Sequence, residues 1–277
     1  MEEITAEYAA NQLAPAQALR VRTRVSLACK TDLGRVRENN EDKFEYFVPE
    51  DEGTLASRGQ VFVVCDGMGG HAAGQIASEL TAKTFIDVYL HHPSESETTA
   101  MEAAVMAANR FVLDNARAFP QRRGMGTTLS ALILLQDRAW VVQVGDSRVY
   151  RLRDGELEML SHDHTFVEES VRMGTMSREE AEAHPYKHVL TRAIGVEDGF
   201  RPDIDPFDLR QGDLYLLCSD GLINHVGDEQ ITDILRSNCP SEAAWKLVGA
   251  ALLGGGSDNA TVLIVRVDEM VSDGLEG

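Results

Sequence analysis

The stretch that most constrains the fold is an apolar run that ends abruptly in an acidic residue. The run covers residues 61–65, and Asp66, Gly67, two further glycines and His71 follow within six positions. An unbroken apolar run of this length, rich in valine, predicts a strand that is buried on both faces. Asp66 then lies where the strand ends, and the glycines permit close backbone approach. Because an aspartate after a strand is most often a turn or cap residue, this stretch alone does not decide its role.

The same design recurs once more, and a third aspartate begins a strand instead of ending one. The apolar run 214–218 leads through a serine into Asp220 and a glycine, and Asp258 precedes a final apolar run, 261–267. In an antiparallel sheet the end of one strand lies beside the beginning of its neighbour. We therefore expect Asp66, Asp220 and Asp258 to share one edge of a sheet.

Asp146, in a short turn between two predicted strands, is expected at the same edge. Several carboxylates are not held close together without cations, because like charges raise one another's pKa. Ligands that are all oxygen suit Mg²⁺ or Mn²⁺ better than zinc. The pattern therefore predicts a divalent cation site built from distant parts of the chain.

Charge and cysteine content exclude several classes of function. The net charge of -19 argues against nucleic-acid binding, which requires a basic surface. The four cysteines form no C-x-x-C pair, which argues against a disulfide framework or a zinc site. No apolar stretch is long enough to span a membrane, and the acidic start is unlike a signal peptide. From the sequence we expect a cytoplasmic protein that makes no membrane contact.

The predicted elements alternate between helices and antiparallel strands. Amphipathic patterns predict helices over 75–90 and 99–119, and three strands follow, separated by turns too short for anything but antiparallel pairing. The strands are predicted at 129–135, 139–144 and 148–153.

Three segments stand apart from these elements. Residues 161–190 contain two capping-box patterns and predict a polar helical lid, or flap. Residues 1–22 are predicted to be a flexible extension, and 268–277 a disordered acidic tail.

One pattern suggests a different chemistry. Cys29 and Arg35 have the C-x5-R spacing with which cysteine phosphatases hold a phosphate above a thiolate. That loop needs several backbone N–H groups turned inward, and only Gly34 in it is a glycine. We interpret the spacing as a chance match.

Taken together, the motifs resemble the metal-dependent Ser/Thr protein phosphatases, the protein phosphatase 2C (PP2C or PPM) family in its bacterial form. The resemblance runs in family order from about residue 23 to 267. It rests on R-x-x-N-E-D at 37–42, D-G-M-G-G-H at 66–71, G-T-T at 126–128, V-G-D-S-R at 144–148, L-T-R-A-I-G at 190–195, S-D-G-L at 219–222 and S-D-N-A-T at 257–261. It implies an α+β fold, a four-layer α-β-β-α sandwich of two antiparallel sheets with helices outside.

The resemblance also implies a site with two Mn²⁺ or Mg²⁺ ions and room for a third. Asp66 would bridge the two ions, with the Gly67 carbonyl on one of them. The remaining assignments are Asp220 and Asp258 as ligands, Glu41 as holder of a water, Asp146 on the third ion, and Asp42 and Asn259 as supports.

Two further residues are implied to handle the substrate. Arg37 would grip the phosphate with its planar fork of donors, although a surface ion pair with Glu38 or Glu41 would equally suit an arginine there. His71 would be the general acid, or else a loop histidine of no chemical role.

Three functions remain open from the sequence. The first is hydrolysis of phosphoserine and phosphothreonine in proteins, opposite a bacterial Ser/Thr kinase, by a monomer. The second is a metal-dependent phosphoesterase that acts on a nucleotide or small metabolite. The third is a module that binds phosphoproteins without cleaving them.

Overall fold

The structure is a computed structural model that describes residues 18–70 and 72–272. His71, most of the predicted extension (residues 1–17) and the last five residues of the predicted tail lie outside the described residues. None of the helices in the described ranges combines the length and the apolar character needed to cross a membrane.

The described chain contains twelve strands, eight α-helices and one 3-10 helix at Pro120–Arg122. The strands are β1 (Val21–Asp32), β2 (Lys43–Phe47), β3 (Gln60–Cys65), β4 (Gly67–Met68), β5 (Gly126–Thr127), β6 (Leu129–Leu135), β7 (Arg138–Val144), β8 (Arg148–Arg153), β9 (Glu156–Met159), β10 (Asp203–Asp208), β11 (Leu214–Cys218) and β12 (Ala260–Ser272). The helices are α1 (Glu52–Arg58), α2 (Ala72–His91), α3 (Glu97–Ala118), α4 (Phe166–Arg172), α5 (Arg178–Ala183), α6 (Asp220–Ile223), α7 (Asp228–Ser237) and α8 (Pro240–Leu253).

Two five-stranded antiparallel sheets form the centre of the molecule. The first has the order β1-β12-β11-β8-β9, and the second has the order β10-β7-β6-β3-β2. Side chains from both sheets, among them Phe62, Leu132, Leu217 and Leu263, form a fully buried core between them. Helices α2 and α3 cover the outer face of the second sheet, and α7 and α8 cover that of the first. This arrangement confirms the α+β, four-layer sandwich that the motifs implied.

The prediction that β7 and β8 pair as neighbours was wrong. β7 pairs with β6 and β10, whereas β8 pairs with β9 and β11, so the turn at 145–147 passes from one sheet to the other. Gly145 has a φ of +99°, and a Cβ there would lie 2.6 Å from Cγ2 of Thr128. A short turn forces antiparallel pairing only when both strands belong to the same sheet. The turn at 145–147 instead connects a strand of the second sheet to a strand of the first.

The strands at both ends of the described chain extend beyond their predicted bounds. β1 begins at Val21 and β12 continues to Ser272, and these two residues are register partners. The boundaries predicted at 22 and 267, between the domain and its two terminal segments, are therefore corrected. The ends of β1 and β12 are ordered by pairing with each other, and the composition of each segment alone does not reveal that pairing.

Residues 161–190 form two short helices, as the capping patterns predicted. The hydroxyl of Ser177 accepts from the Glu180 amide while the Glu180 carboxylate accepts from the Ser177 amide, which is a complete capping box. Thr165 makes only its own half of the second box, because the Glu168 carboxylate instead pairs with Arg178 at 2.5 Å.

Candidate active site

A cleft of about 1190 Å³ opens at one end of the sandwich, where β3 and β11 end and β12 begins. It brings together eight of the residues predicted for the site: Arg37, Glu41, Asp66, Gly67, Asp146, Asp220, Asp258 and Asn259. Asp66 follows a strand of the second sheet, whereas Asp220 and Asp258 adjoin paired strands of the first. The expectation of one shared sheet edge is therefore corrected, since both sheets contribute to the end of the sandwich.

Two threonines fix the backbone of Asp66. The Asp66 amide donates to Oγ1 of Thr128 at 2.8 Å, and its carbonyl accepts from Oγ1 of Thr127 at 2.8 Å. The Thr128 hydroxyl also lies 2.7 Å from that of Ser147, the neighbour of Asp146. One buried network therefore links the Asp66 loop to the turn that carries Asp146.

A close backbone contact joins the Asp220 and Asp258 loops. A Cβ on Gly221 would lie 1.9 Å from the carbonyl oxygen of Asn259, so only glycine fits after Asp220. The Asn259 side chain accepts from the Glu41 amide at 2.8 Å and donates to the carbonyls of Leu33 and Asn39. Asn259 thus holds the segment that carries Arg37 and Glu41 against the first sheet.

Glu41 lies against two glycines. The Gly67 amide donates to the Glu41 carbonyl at 3.2 Å. A Cβ on Gly74, in the first turn of α2, would lie 2.1 Å from Oε2 of Glu41. The space that admits this carboxylate therefore exists only because residue 74 has no side chain.

Asp42 lies behind the cleft and is almost fully buried, with 2% of its surface exposed. Its Oδ2 accepts from the Ser219 hydroxyl at 2.7 Å, while its Oδ1 has no hydrogen-bond partner among the described residues. Burial, reinforced by the charges of Asp220 and Asp258, raises the pKa of Asp42 to about 7.

Asp66, Asp146 and Asp220 also have a raised pKa when no cation is near. Burial first, and then repulsion from Asp42, Asp220, Asp146 and Asp258, raises the pKa of Asp66 well above its usual range. Burial together with Asp220 and Asp163 raises the pKa of Asp146 to about 8. The pKa of Asp220 is likewise raised by burial and by Asp258. A cluster of buried carboxylates like this one is stable in its ionised form only when a positive charge lies beside it.

Arg37 supplies one such charge. Its Nη2 lies 2.5 Å from Oδ2 of Asp258, and its side chain is 53% exposed. This hydrogen bond raises the pKa of Arg37 further. Asp258, a member of the cluster, is therefore an ion-pair partner of Arg37, whereas the surface-pair alternative had named Glu38 or Glu41.

The residues present fit a divalent cation. Within residues 18–70 and 72–272, no group of three or more His, Cys, Asp or Glu side chains is arranged closely enough to coordinate a metal ion. The donors facing the cleft are nevertheless carboxylate and carbonyl oxygens, the ligands of hard cations such as Mg²⁺. The unpartnered Oδ1 of Asp42 and the raised carboxyl pKa values both indicate a site that is short of positive charge.

The Cys29–Arg35 spacing carries no phosphatase chemistry in the structure. Cys29 lies within β1 as the register partner of Leu263 and packs against the core between the sheets. Burial raises the pKa of its thiol, which disfavours the thiolate that such chemistry needs. Neither residue lines the cleft.

Sequence reasoning missed several residues of the cleft. His188 and Arg192 line it from the end of the 161–190 segment and just beyond, although His188 was assigned no chemistry. Gly74 immediately precedes the predicted helix 75–90, where a glycine is an ordinary boundary residue, so nothing in the sequence signals its contact with Glu41.

Comparison with known proteins identifies similar chains. Residues 35–248 match the family model for protein phosphatase 2C. The chain is 38% identical over 240 residues to the serine/threonine protein phosphatase PstP of Mycobacterium tuberculosis, a match that covers 87% of this chain and 44% of that protein. It is 37% identical over 244 residues to the serine/threonine phosphatase stp of Listeria monocytogenes, which covers 86% of this chain and 94% of that protein.

A solved structure shares the fold. The crystal structure of the catalytic domain of PstP in complex with two manganese ions matches with a TM-score of 0.75 at 37% identity, covering 88% of this chain and 99% of that one. The chain thus spans less than half the length of the Mycobacterium tuberculosis relative but nearly all of the Listeria relative.

Proposed function

The chain belongs to the protein phosphatase 2C family, and we propose on that basis that it hydrolyses phosphoserine and phosphothreonine in proteins with two bound Mn²⁺ or Mg²⁺ ions. The observation that carries the proposal is the cleft itself, in which carboxylates from both sheets surround a half-exposed arginine. A nucleotide or small phosphate would need a pocket that specifies its remainder, and we identify none among the described residues that line the cleft.

Asp66, with the carbonyl of Gly67, is assigned to hold the ions together with Asp220 and Asp258. Glu41 is assigned to orient a water beside them, in the space that Gly74 leaves open. Asp146 is assigned to a third, weaker ion. Asp42 and Asn259 are assigned to support these groups from behind, which fits their burial and their hydrogen bonds to Ser219 and Glu41.

When bound, two divalent cations lower the pKa of water and offset the negative charge of a phosphoryl group. Arg37 is assigned to bind the phosphate oxygens, since a guanidinium presents paired donors to such a group. Its present partner, Asp258, is an anion at the same place, and a phosphate competes with it for the guanidinium. His71 is assigned as the acid that protonates the departing serine or threonine oxygen.

We place the protein opposite a Ser/Thr kinase, as a cytoplasmic monomer. The kinase assignment is supported by relatives that are named serine/threonine phosphatases, whereas the location and the monomeric state are carried over from the sequence.

The test is the substitution Asp66→Asn with a phosphothreonine peptide and manganese. We expect loss of at least about a hundredfold in kcat/KM, in line with removal of a group on which charge stabilisation depends. The matched control Asp233→Asn changes an exposed aspartate of α7 outside the cleft and should retain activity.

Comparison with other substrates separates the alternatives. Faster turnover of free nucleotides than of the phosphothreonine peptide would favour a small-molecule phosphoesterase. Peptide binding that persists in Asp66→Asn, with no hydrolysis by the natural chain, would indicate a binding module. Full activity in excess chelator would contradict the proposed function altogether.

A further inference from the structure

The arginines that line the cleft already have acidic partners. Arg37 pairs with Asp258 at 2.5 Å. Arg192 pairs with Asp203 at 2.7 Å and lies 3.6 Å from Glu169. Neither arginine therefore presents an uncompensated positive charge to the part of a substrate that lies beyond the phosphate.

Two acidic side chains of the same cleft have no such compensation. Glu38 and Glu197 both line the cleft and are both exposed. Within the described residues, neither carboxylate takes part in a hydrogen bond or an ion pair. The charges left available at the mouth of the cleft are therefore negative.

Both glutamates lie on backbone that is held in place. The loop of Glu197 is fixed by Asn109 of α3, whose side chain donates to the Glu197 carbonyl at 2.9 Å and accepts from the Gly195 amide at 2.7 Å. Asn259 holds the segment of Glu38 by donating to the carbonyl of Asn39 at 3.0 Å. These carboxylates therefore occupy defined places relative to the phosphate site.

From these contacts we propose that Glu38 and Glu197 select phosphorylated serines and threonines that have lysine or arginine close by in the substrate. This inference rests on the proposed function and names its substrate class. A basic flanking residue gains an ion pair at the mouth, whereas an acidic one meets like charge. The excess of acidic residues over the whole chain acts in the same direction at long range, so the test must separate the local effect from the general one.

The experiment compares three phosphothreonine peptides that differ only in their flanking residues, which are arginine, glutamine or glutamate. It is run with manganese at about 0.15 M salt, where the Debye length is about 8 Å and distant charges are screened. We expect the arginine peptide to exceed the glutamine peptide in kcat/KM by roughly two- to fivefold for each ion pair formed, the range of exposed pairs. The glutamate peptide should be the slowest.

Three variants assign the effect to its residues. Glu38→Gln with Glu197→Gln should bring the arginine-to-glutamate ratio of kcat/KM close to one. Glu38→Lys with Glu197→Lys should invert it. The control Glu102→Gln removes an exposed charge from α3 outside the cleft and should keep the natural ratio. Because each readout is a ratio within one variant, loss of some folded protein cancels.

Two results would overturn the inference. An unchanged ratio in the double glutamine variant would show that the glutamates do not contact the flanking residues. An equal decrease in Glu102→Gln would assign the preference to bulk charge. Failure of the proposed function looks different, because none of the peptides would then be hydrolysed with manganese.

Discussion

Gly74 and Glu41 are 33 positions apart in sequence, and yet the position of the Glu41 side chain depends on the absence of a side chain at residue 74. The carboxylate of Glu41 occupies the space in which a side chain on residue 74 would lie. No pattern in either segment reveals this contact, because it arises only when α2 packs beside the segment that precedes β2. The acidic residues could be predicted to converge from their places at strand ends, whereas the glycine that admits Glu41 could not.

Gly74→Ala should weaken manganese binding and also cost some stability, because the new Cβ would lie 2.8 Å from the backbone carbonyl carbon of Gly67 as well as against Glu41. The new Cβ would force Glu41 to move, so we expect a several-fold increase in the manganese concentration needed for half-maximal binding. Isothermal titration with Mn²⁺ measures this directly.

Gly249→Ala is the matched control, because nothing lies within 4 Å of that position in α8. It should leave manganese binding unchanged and stabilise the helix by up to about 1 kcal/mol. Equal manganese affinity in the two variants would contradict the role given to the space beside Glu41.

Among the secondary-structure elements, α3 does more than cover the second sheet. Its residue Asn109 is 1% exposed and satisfies two backbone groups of the loop that follows the flap. The sequence predicted α3 only as an amphipathic helix over 99–119. The available signal was an asparagine among the apolar residues of this helix. Buried polar side chains are almost always hydrogen-bonded to another group.

Asn109→Ala should destabilise the protein by about 2–3 kcal/mol, because it leaves the Gly195 amide and the Glu197 carbonyl without their partner. Chemical denaturation measures the loss. The control Asn115→Ala, on the same helix, removes a half-buried side chain that donates to the Phe111 carbonyl and accepts from Arg122, and it should cost only about 1 kcal/mol. Similar losses in both variants would mean that the loop finds other partners.

The crossing turn between β7 and β8 shows where sequence reasoning about elements stops. All three strands from 129 to 153 were predicted almost to the residue, because strand pattern is local. Which sheet a strand joins depends on partners far away in sequence, and β8 pairs with β11, more than sixty positions later. The family resemblance implied the sandwich, and strand periodicity alone did not.

At the scale of the whole molecule, the carboxylates of the cleft oppose folding when no cation is bound. The pKa of Asp42 is raised to about 7 and that of Asp146 to about 8, against a usual value near 3.9. The folded chain therefore binds protons more tightly than the unfolded chain. This contribution to stability is complete below the unfolded pKa and is lost as pH rises through the folded pKa.

In excess chelator we therefore expect Tm to fall as pH rises from about 5 to about 8, the window between those values. Asp42→Asn removes one of the two groups while it keeps an acceptor for Ser219, so its Tm should fall less over the same range. Thermal unfolding followed by circular dichroism measures both. Parallel curves for the two proteins would contradict the burial of an ionisable Asp42.

The pairing of β1 with β12 places both ends of the described chain at the same pole. Val21 faces Ser272 there, whereas Asp32 and Ala260, at the other end of the ladder, adjoin the cleft. A twelve-residue strand spans about 40 Å at roughly 3.3 Å per residue. The backbone consequently enters β1 and leaves β12 at the pole opposite the cleft, so the catalytic face is free of both ends of the described chain.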